Sequence, residues 1–254
     1  MALQEIARLL SNSLIAQGIY RAELDSPLVA AQAQPGQFVH VLCGEKTLRR
    51  PISICRVDDG RITLVYAVRG EGTAWLSQQA VGGTLDILGA LGNGFGGLGD
   101  NKRLLVVGGG IGVPPLLDCA LRCGAAVTDA VLGFRTAEQV ILEDEFAAAC
   151  QCVAIATEDG SRGTRGFVTT PMERLLEENR YDAVFACGPM PMLRAVAELA
   201  AKKTVPCRLS LEERMGCGVG ACLVCSAKIK RAGTEDYLRV CKDGPVFNGE
   251  ELCW

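Results

Sequence analysis

The sequence predicts an α/β-plus-β protein: an N-terminal antiparallel β-barrel, a central doubly wound parallel sheet, and a small C-terminal segment stapled by cysteines. Three observations carry this. Up to about residue 98, short alternating or apolar runs recur between Gly, Pro and Asp punctuation, as in an antiparallel barrel. From Arg103 the pattern switches to a regular exchange of apolar strands and helical stretches, the signature of a parallel sheet. From Cys207 onward the chain is rich in Gly and Cys and has under 50 residues left, too few to bury much core without a metal. The expected units are 1–98, 99–206 and 207–254.

In the first unit, strands are expected at 14–20, 37–42, 62–68 and 84–88, with one short helix at 72–80. Two motifs interrupt them. Arg50, Pro51, Ile52 and Ser53 form RPIS, and Tyr66 to Thr73 read YAVRGEGT. An Arg followed by a Ser entering a strand suits a flavin pyrophosphate and ring edge, although an Arg before a Pro is also an ordinary loop. Gly72 and Thr73, opening a helix, present main-chain N–H groups to phosphate.

In the second unit, strands are expected at 103–107, 126–133, 152–157 and 183–186, and helices at 114–122, 138–150, 171–179 and 190–201. LLVVGGGIGVPPLL places Gly108, Gly109, Gly110 and Gly112 between a strand and a helix. There a dinucleotide pyrophosphate can approach the main chain at a helix N-terminus. Pro115 stands where the third Gly of G-x-G-x-x-G would fall, so a tight turn without ligand is the competing reading. ACGPMPML puts Cys187 and Gly188 at the carboxyl edge of the sheet, where such folds bind ligands. Cys187 reads equally as a group beside a nicotinamide or as a small residue filling a turn.

In the third unit a brief strand is expected at 226–230. Cys217, Cys222, Cys225 and Cys241 form C-x4-C-x2-C…C, the plant-type [2Fe–2S] ligand spacing. Two irons sharing two sulfides need four thiolates converging from a tight loop and one distant return. Gly216, Gly218 and Gly220 let that loop curl and offer N–H groups to sulfur. A structural zinc site is the alternative, but zinc favours two C-x2-C knuckles and only Cys222 and Cys225 make one. The other nine of the 13 cysteines read as small core residues, and an odd total cannot all pair. The single histidine, His40, excludes Cys₂His₂ zinc sites and chemistry that needs a His pair.

Composition narrows the class further. With 49% hydrophobic and 22% charged residues among 254, the chain is ordinary for a globular protein. A net charge of −3 argues against nucleic-acid binding and against a polybasic membrane patch. The N-terminus has no basic start, long apolar core or cleavage site, and the apolar stretch at 104–117 carries two prolines and is too short to span a bilayer. A soluble, cytoplasmic protein is expected.

The order RPIS, GEGT, LGALGNGF, GGGIGVPP, CGPMPM is similar to the ferredoxin–NADP reductase superfamily, in which an FAD-binding barrel precedes a pyridine-nucleotide domain. Adding LEERMGCGVGACLVC and VCKDGPVF, nearly the whole chain resembles the electron-transfer subunits of type B dihydroorotate dehydrogenase. The resemblance implies that Arg50, Pro51, Ile52, Ser53, Val65, Tyr66, Ala67, Gly72 and Thr73 contact FAD and that the four cysteines ligate the cluster. It implies NAD as co-substrate, for which Gly108, Gly110, Gly112, Cys187 and Gly188 of the two turns above are the candidate site. It also implies an FMN-bearing catalytic partner in a two-plus-two heterotetramer, with electrons moving from FMN through the cluster and FAD to NAD⁺. No catalytic acid or base is expected in this chain.

The family's Gly-Pro-Leu-Gly run is Gly89-Ala90-Leu91-Gly92 here, and its basic position before Gly-x-Gly-Thr is Arg69. Arg135, after the second strand, suits either a 2′-phosphate or the rim of an adenine pocket. Related reductase subunits, of the sulfide dehydrogenase, ferredoxin or sulfite reductase type, share this order. So does a redox sensor without turnover, which would lack NADH–dye reductase activity.

Overall fold

The structure is a computed structural model that describes residues 2–231 and 233–254. Six antiparallel strands close into a barrel: β1 (Leu3–Ala16), β2 (Ile19–Asp25), β3 (Phe38–Val41), β4 (Arg50–Asp58), β5 (Arg61–Ala67) and β6 (Thr84–Leu91), in the order β1-β2-β5-β4-β3-β6. Closure removes exposed edges. The interior holds alternate residues of each strand, including Leu24, Val39, Ile52, Ile54, Leu64, Tyr66 and Ile87. Helix α1 (Pro27–Gln32) packs Val29 and Ala30 into that interior, and α2 (Glu71–Ser77) contributes Leu76.

The seven-stranded sheet runs β10-β9-β8-β7-β11-β12-β15. Its strands are β7 (Arg103–Gly109), β8 (Val127–Phe134), β9 (Cys152–Thr157), β10 (Thr164–Arg165), β11 (Ala183–Cys187), β12 (Cys207–Ser210) and β15 (Val246–Asn248). All neighbours are parallel except β12 and β15. Strand β11 is buried throughout, and β7 over all but its first residue, because α3 (Pro114–Arg122), α4 (Glu143–Ala149), α5 (Thr169–Glu178) and α6 (Met190–Lys202) cover the sheet's faces. The remaining hairpin, β13 (Ser226–Arg231) with β14 (Thr234–Arg239), follows the cysteine loop.

The structure departs from the sequence reading at four places. The strand expected at 14–20 is a hairpin corner between two longer strands, turning at Gly18 with φ +69°. β1 begins at Leu3; its alternation is blurred by an exposed Ile6 and by register shifts after Leu9 and Leu14. The strand that Ser53 is expected to enter begins already at Arg50, a Pro being tolerated near a strand's start, and runs on to Asp58. The helix expected at 138–150 splits into a 3₁₀ turn (Ala137–Gln139) and α4, because Leu142 sits in the left-handed region at φ 59°. Finally, Cys207–Ser210 and Val246–Asn248 are strands of the central sheet, so the cysteine-rich segment is threaded into the sheet's edge.

Candidate redox site

The cysteine loop folds the four thiols into two pairs. Cys217 and Cys222 are joined by main-chain N–H bonds to each other's sulfur, and Cys241 gives its main-chain N–H to the sulfur of Cys225. The Cys217 sulfur also accepts the main-chain N–H of Ala221 at 3.2 Å and of Cys222 at 3.4 Å. The Cys222 sulfur accepts from Cys217 N–H, and the Cys225 sulfur from Cys241 N–H, each at 3.4 Å. Burial pushes the Cys217 thiol up, but main-chain N–H groups of Val219, Cys222 and Ala221, with the Cys222 thiol, outweigh it and bring its pKa down to about 6. Cys241 is pushed up to about 12, first by burial and then by Cys225 beside it.

The loop is tied to the Cys241 return by Arg239, which donates to the Gly220 carbonyl at 3.1 Å and pairs with Asp243 at 2.9 Å. Asn93, at the barrel's exit, donates its side-chain N–H groups to the carbonyls of Lys242 and Asp243, both at 3.1 Å. Among the described residues, no three His, Cys, Asp or Glu side chains gather as a single metal ion requires. Thiols that receive main-chain N–H bonds, as those of Cys217, Cys222 and Cys225 do, are the donor chemistry of an iron–sulfur cluster. The loop rim is apolar and open: Val219, Leu223 and Val224 are exposed.

The two motifs of the barrel meet. A Cβ added to Gly72 would stand 2.5 Å from Arg50 Nε, so the guanidinium of RPIS lies against the start of α2. Thr73 Oγ1 accepts the N–H groups of Arg69 and Gly70 at 2.9 and 3.3 Å. Ile52 and Ile54 point into the barrel, which turns Pro51 and Ser53 outward beside Phe38 and His40 of β3. Val65 faces the sheet domain among its core residues. Ala67, at the end of β5, is half-buried. Tyr66 is spent on the barrel: its hydroxyl donates to Asn12 Oδ1 at 2.9 Å.

The glycine turn and the CGP turn also meet. β7 and β11 are neighbours with Gly108 opposite Cys187. A Cβ on Gly112 would stand 2.4 Å from the Cys187 carbonyl oxygen and 2.6 Å from Gly188 N, so the two turns are in backbone contact. Gly110, at φ +55°, has open space where a Cβ would be. Cys187 is buried, and burial, then the charge of Glu212, pushes its thiol up to about 12. The pKa and burial favour the reading of a packed small residue.

Sequence reasoning passed over Asn93, Arg239 and the setting of His40. None belongs to a spacing motif; RVCKDG, with Arg239 and Asp243 four apart, is the one local signal.

Residues 212–253 match the family model described as the iron–sulfur cluster binding domain of dihydroorotate dehydrogenase B. The electron transfer subunit of dihydroorotate dehydrogenase B (NAD(+)) from Geobacillus kaustophilus is 47% identical over 253 residues, covering 95% of each chain. The chain belongs to the family of dihydroorotate dehydrogenase B electron transfer subunits. A second such subunit, from Caldanaerobacter subterraneus subsp. tengcongensis, is 43% identical with 97% of each chain covered. Among solved structures, an NADH-dependent reduced ferredoxin-NADP oxidoreductase chain, studied for flavin-based electron bifurcation, aligns with TM-score 0.86 and 32% identity over 98% of this chain and 90% of its own. An Amycolatopsis cytochrome P450 reductase, at 22% identity and TM-score 0.67, shows the barrel-plus-sheet fold alone. For this electron transfer subunit family, the features in hand are a flavin-type face, a nucleotide-type crevice and a thiol quartet in one chain. No helix among the described residues is long and apolar enough to cross a membrane.

Proposed function

We infer that the chain carries electrons from the FMN of a dihydroorotate dehydrogenase catalytic subunit to NAD⁺, holding FAD on the barrel and a [2Fe–2S] cluster on the cysteine loop, in pyrimidine biosynthesis. The reading includes a cytoplasmic location and a heterotetramer of two subunits of each kind. The observation that carries it is the pairing of Cys217 with Cys222 and of Cys241 with Cys225 through main-chain N–H bonds to sulfur, in a loop clamped to the barrel through Asn93. When bound, the cluster supplies single-electron transfer and FAD exchanges single electrons for the pair that NAD⁺ takes as hydride.

The chain's own residues bind and orient. Arg50, against Gly72, offers a guanidinium to the flavin pyrophosphate, and Ser53 offers a hydroxyl at the ring edge. Thr73 fixes the turn that presents α2's first N–H groups. Gly110 leaves main chain open to a dinucleotide pyrophosphate, while Gly112 lets that turn pack against Cys187 and Gly188 at the crevice floor. The thiolates of Cys217, Cys222, Cys225 and Cys241 would hold the irons, with main-chain N–H groups donating to the sulfurs of Cys217, Cys222 and Cys225. No side chain needs to move a proton.

The test is Cys222→Ala, assembled with the catalytic subunit. NADH–dye reduction, which needs only FAD, is expected to persist, while NAD⁺ reduction by dihydroorotate falls to background. An unimpaired rate from dihydroorotate would overturn the route.

A further inference from the structure

His40 is the chain's only histidine, and its surroundings leave it with unfinished bonding. Its side chain is fully buried, yet neither ring nitrogen has a hydrogen-bond partner among the described residues. An N–H sealed from water without an acceptor is costly, so an acceptor from outside the polypeptide is called for. Burial, then the nearby Arg49 guanidinium, lowers its pKa to about 4, and the ring is therefore neutral, with one N–H donor and one bare nitrogen.

Its position says which acceptor. A Cβ on Gly218 would stand 2.7 Å from His40 Cε1 and Nδ1 and 3.0 Å from Nε2, so the ring lies against the loop one residue beyond Cys217. Beside it on the same face of the sheet, its cross-strand neighbour on β4 is Pro51 of the flavin-side motif. A register shift between β3 and β6 falls between Phe38 and His40, the kind of bulge that re-aims a side chain. The ring thus stands next to both the flavin-side strand and the cluster loop, and among the described residues no protein sulfur or carbonyl accepts its N–H.

The geometry points to His40 as a hydrogen-bond donor to the sulfur shell of the [2Fe–2S] cluster, tuning that centre at the junction with the flavin. This rests on the cluster reading above. An N–H aimed at cluster sulfur stabilises the more negative, reduced state and raises its midpoint potential. No proton is transferred; the bond strengthens as the electron arrives.

Because the chain has one histidine, labelling histidine with ¹⁵N reports on His40 alone. In the untagged, full-length, cluster-loaded chain, pulsed EPR of the reduced cluster is expected to show coupling to one imidazole ¹⁵N. His40→Phe, which keeps the packing, is expected to retain iron and FAD, lose the coupling and shift the midpoint potential downward. His40→Gln, which keeps an N–H, should recover part of the shift. A normal cluster signal without histidine coupling, or coupling only to a flavin radical, overturns the role of His40 while leaving the cluster intact. Absence of any cluster signal in protein with correctly folded FAD sinks the cluster reading itself.

Discussion

Gly72 is a position where one methyl group separates stability from cofactor binding. The atom a Cβ would strike is Arg50 Nε, the far end of a flexible side chain, so the fold can accommodate the clash by moving the guanidinium. Gly72→Ala is therefore expected to melt within a degree or two of the native protein but to hold FAD about tenfold more weakly, a loss of roughly 1.4 kcal/mol, read by flavin fluorescence on dilution. Unchanged FAD affinity would detach Arg50 from the flavin. Cys187 gives a second residue-level expectation. A thiol pushed up to about 12 is ionised in about one molecule in ten thousand at pH 8. Iodoacetamide mapping of chelator-treated protein at that pH should thus label Cys217, brought down to about 6, long before Cys187. Early labelling of Cys187 would restore it as a reactive group in the crevice. The cysteine quartet stands out in the sequence because its spacing matches a chemical requirement, whereas RPIS, weak alone, stands out only by its place in the order of motifs. His40 does not: a lone histidine in an apolar strand has no spacing, and only the fold brings Gly218 against it.

At the scale of elements, the strand–turn–helix units of the sheet could be read because a strand buried on both faces is an unbroken apolar run, as in LLVV and AVFA. The barrel was harder: bulges after Leu9 and Leu14 break the period-two pattern that would reveal β1, and Pro51 disguises where β4 begins. What joins the elements is invisible in sequence. Gly112 touches the Cys187 carbonyl across two strand ends, and here the obstacle is main chain, which cannot swing aside. Gly112→Ala must push β7's turn away from β11. The expected result is a KM for NADH raised on the order of tenfold or more in the dye assay, with FAD and iron contents unchanged. A variant with native KM would show that this turn lies outside the nucleotide crevice.

For the whole molecule, the seam between barrel and sheet is held by a buried carboxylate. Asp118 on α3 pairs with Arg122 at 2.8 and 2.5 Å and accepts the Val57 N–H of β4 at 3.4 Å, while Arg122 donates to the Ala33 carbonyl at 3.1 Å. Asp118→Ala is expected to cost about 2 kcal/mol, discounted because Arg122 remains a third exposed. That corresponds to a melting temperature lower by roughly 4–8 °C, and an unchanged melting curve would deny the seam its anchor. The boundary expected at residue 207 followed the change in composition, but composition does not reveal that β12 and β15 complete the sheet. One apolar core accordingly runs from Phe38 and Leu91 of the barrel through Leu105 and Val184 of the sheet to Cys225, Val240 and Cys241. Within that shared core the parts differ in what sustains them. β7 and β11 are held by covering helices, whereas Cys217 and Cys222 are half-buried and exposed, on a loop that few main-chain hydrogen bonds restrain. Metal binding should then supply the loop's local stability. Removing iron anaerobically is expected to speed hydrogen exchange of the amides at 217–225 on the order of 100-fold, while those of β7 and β11 keep their protection. Equal loss everywhere would mean that the cluster holds the entire fold, and no loss at the loop would mean that the thiol pairs are preformed without it.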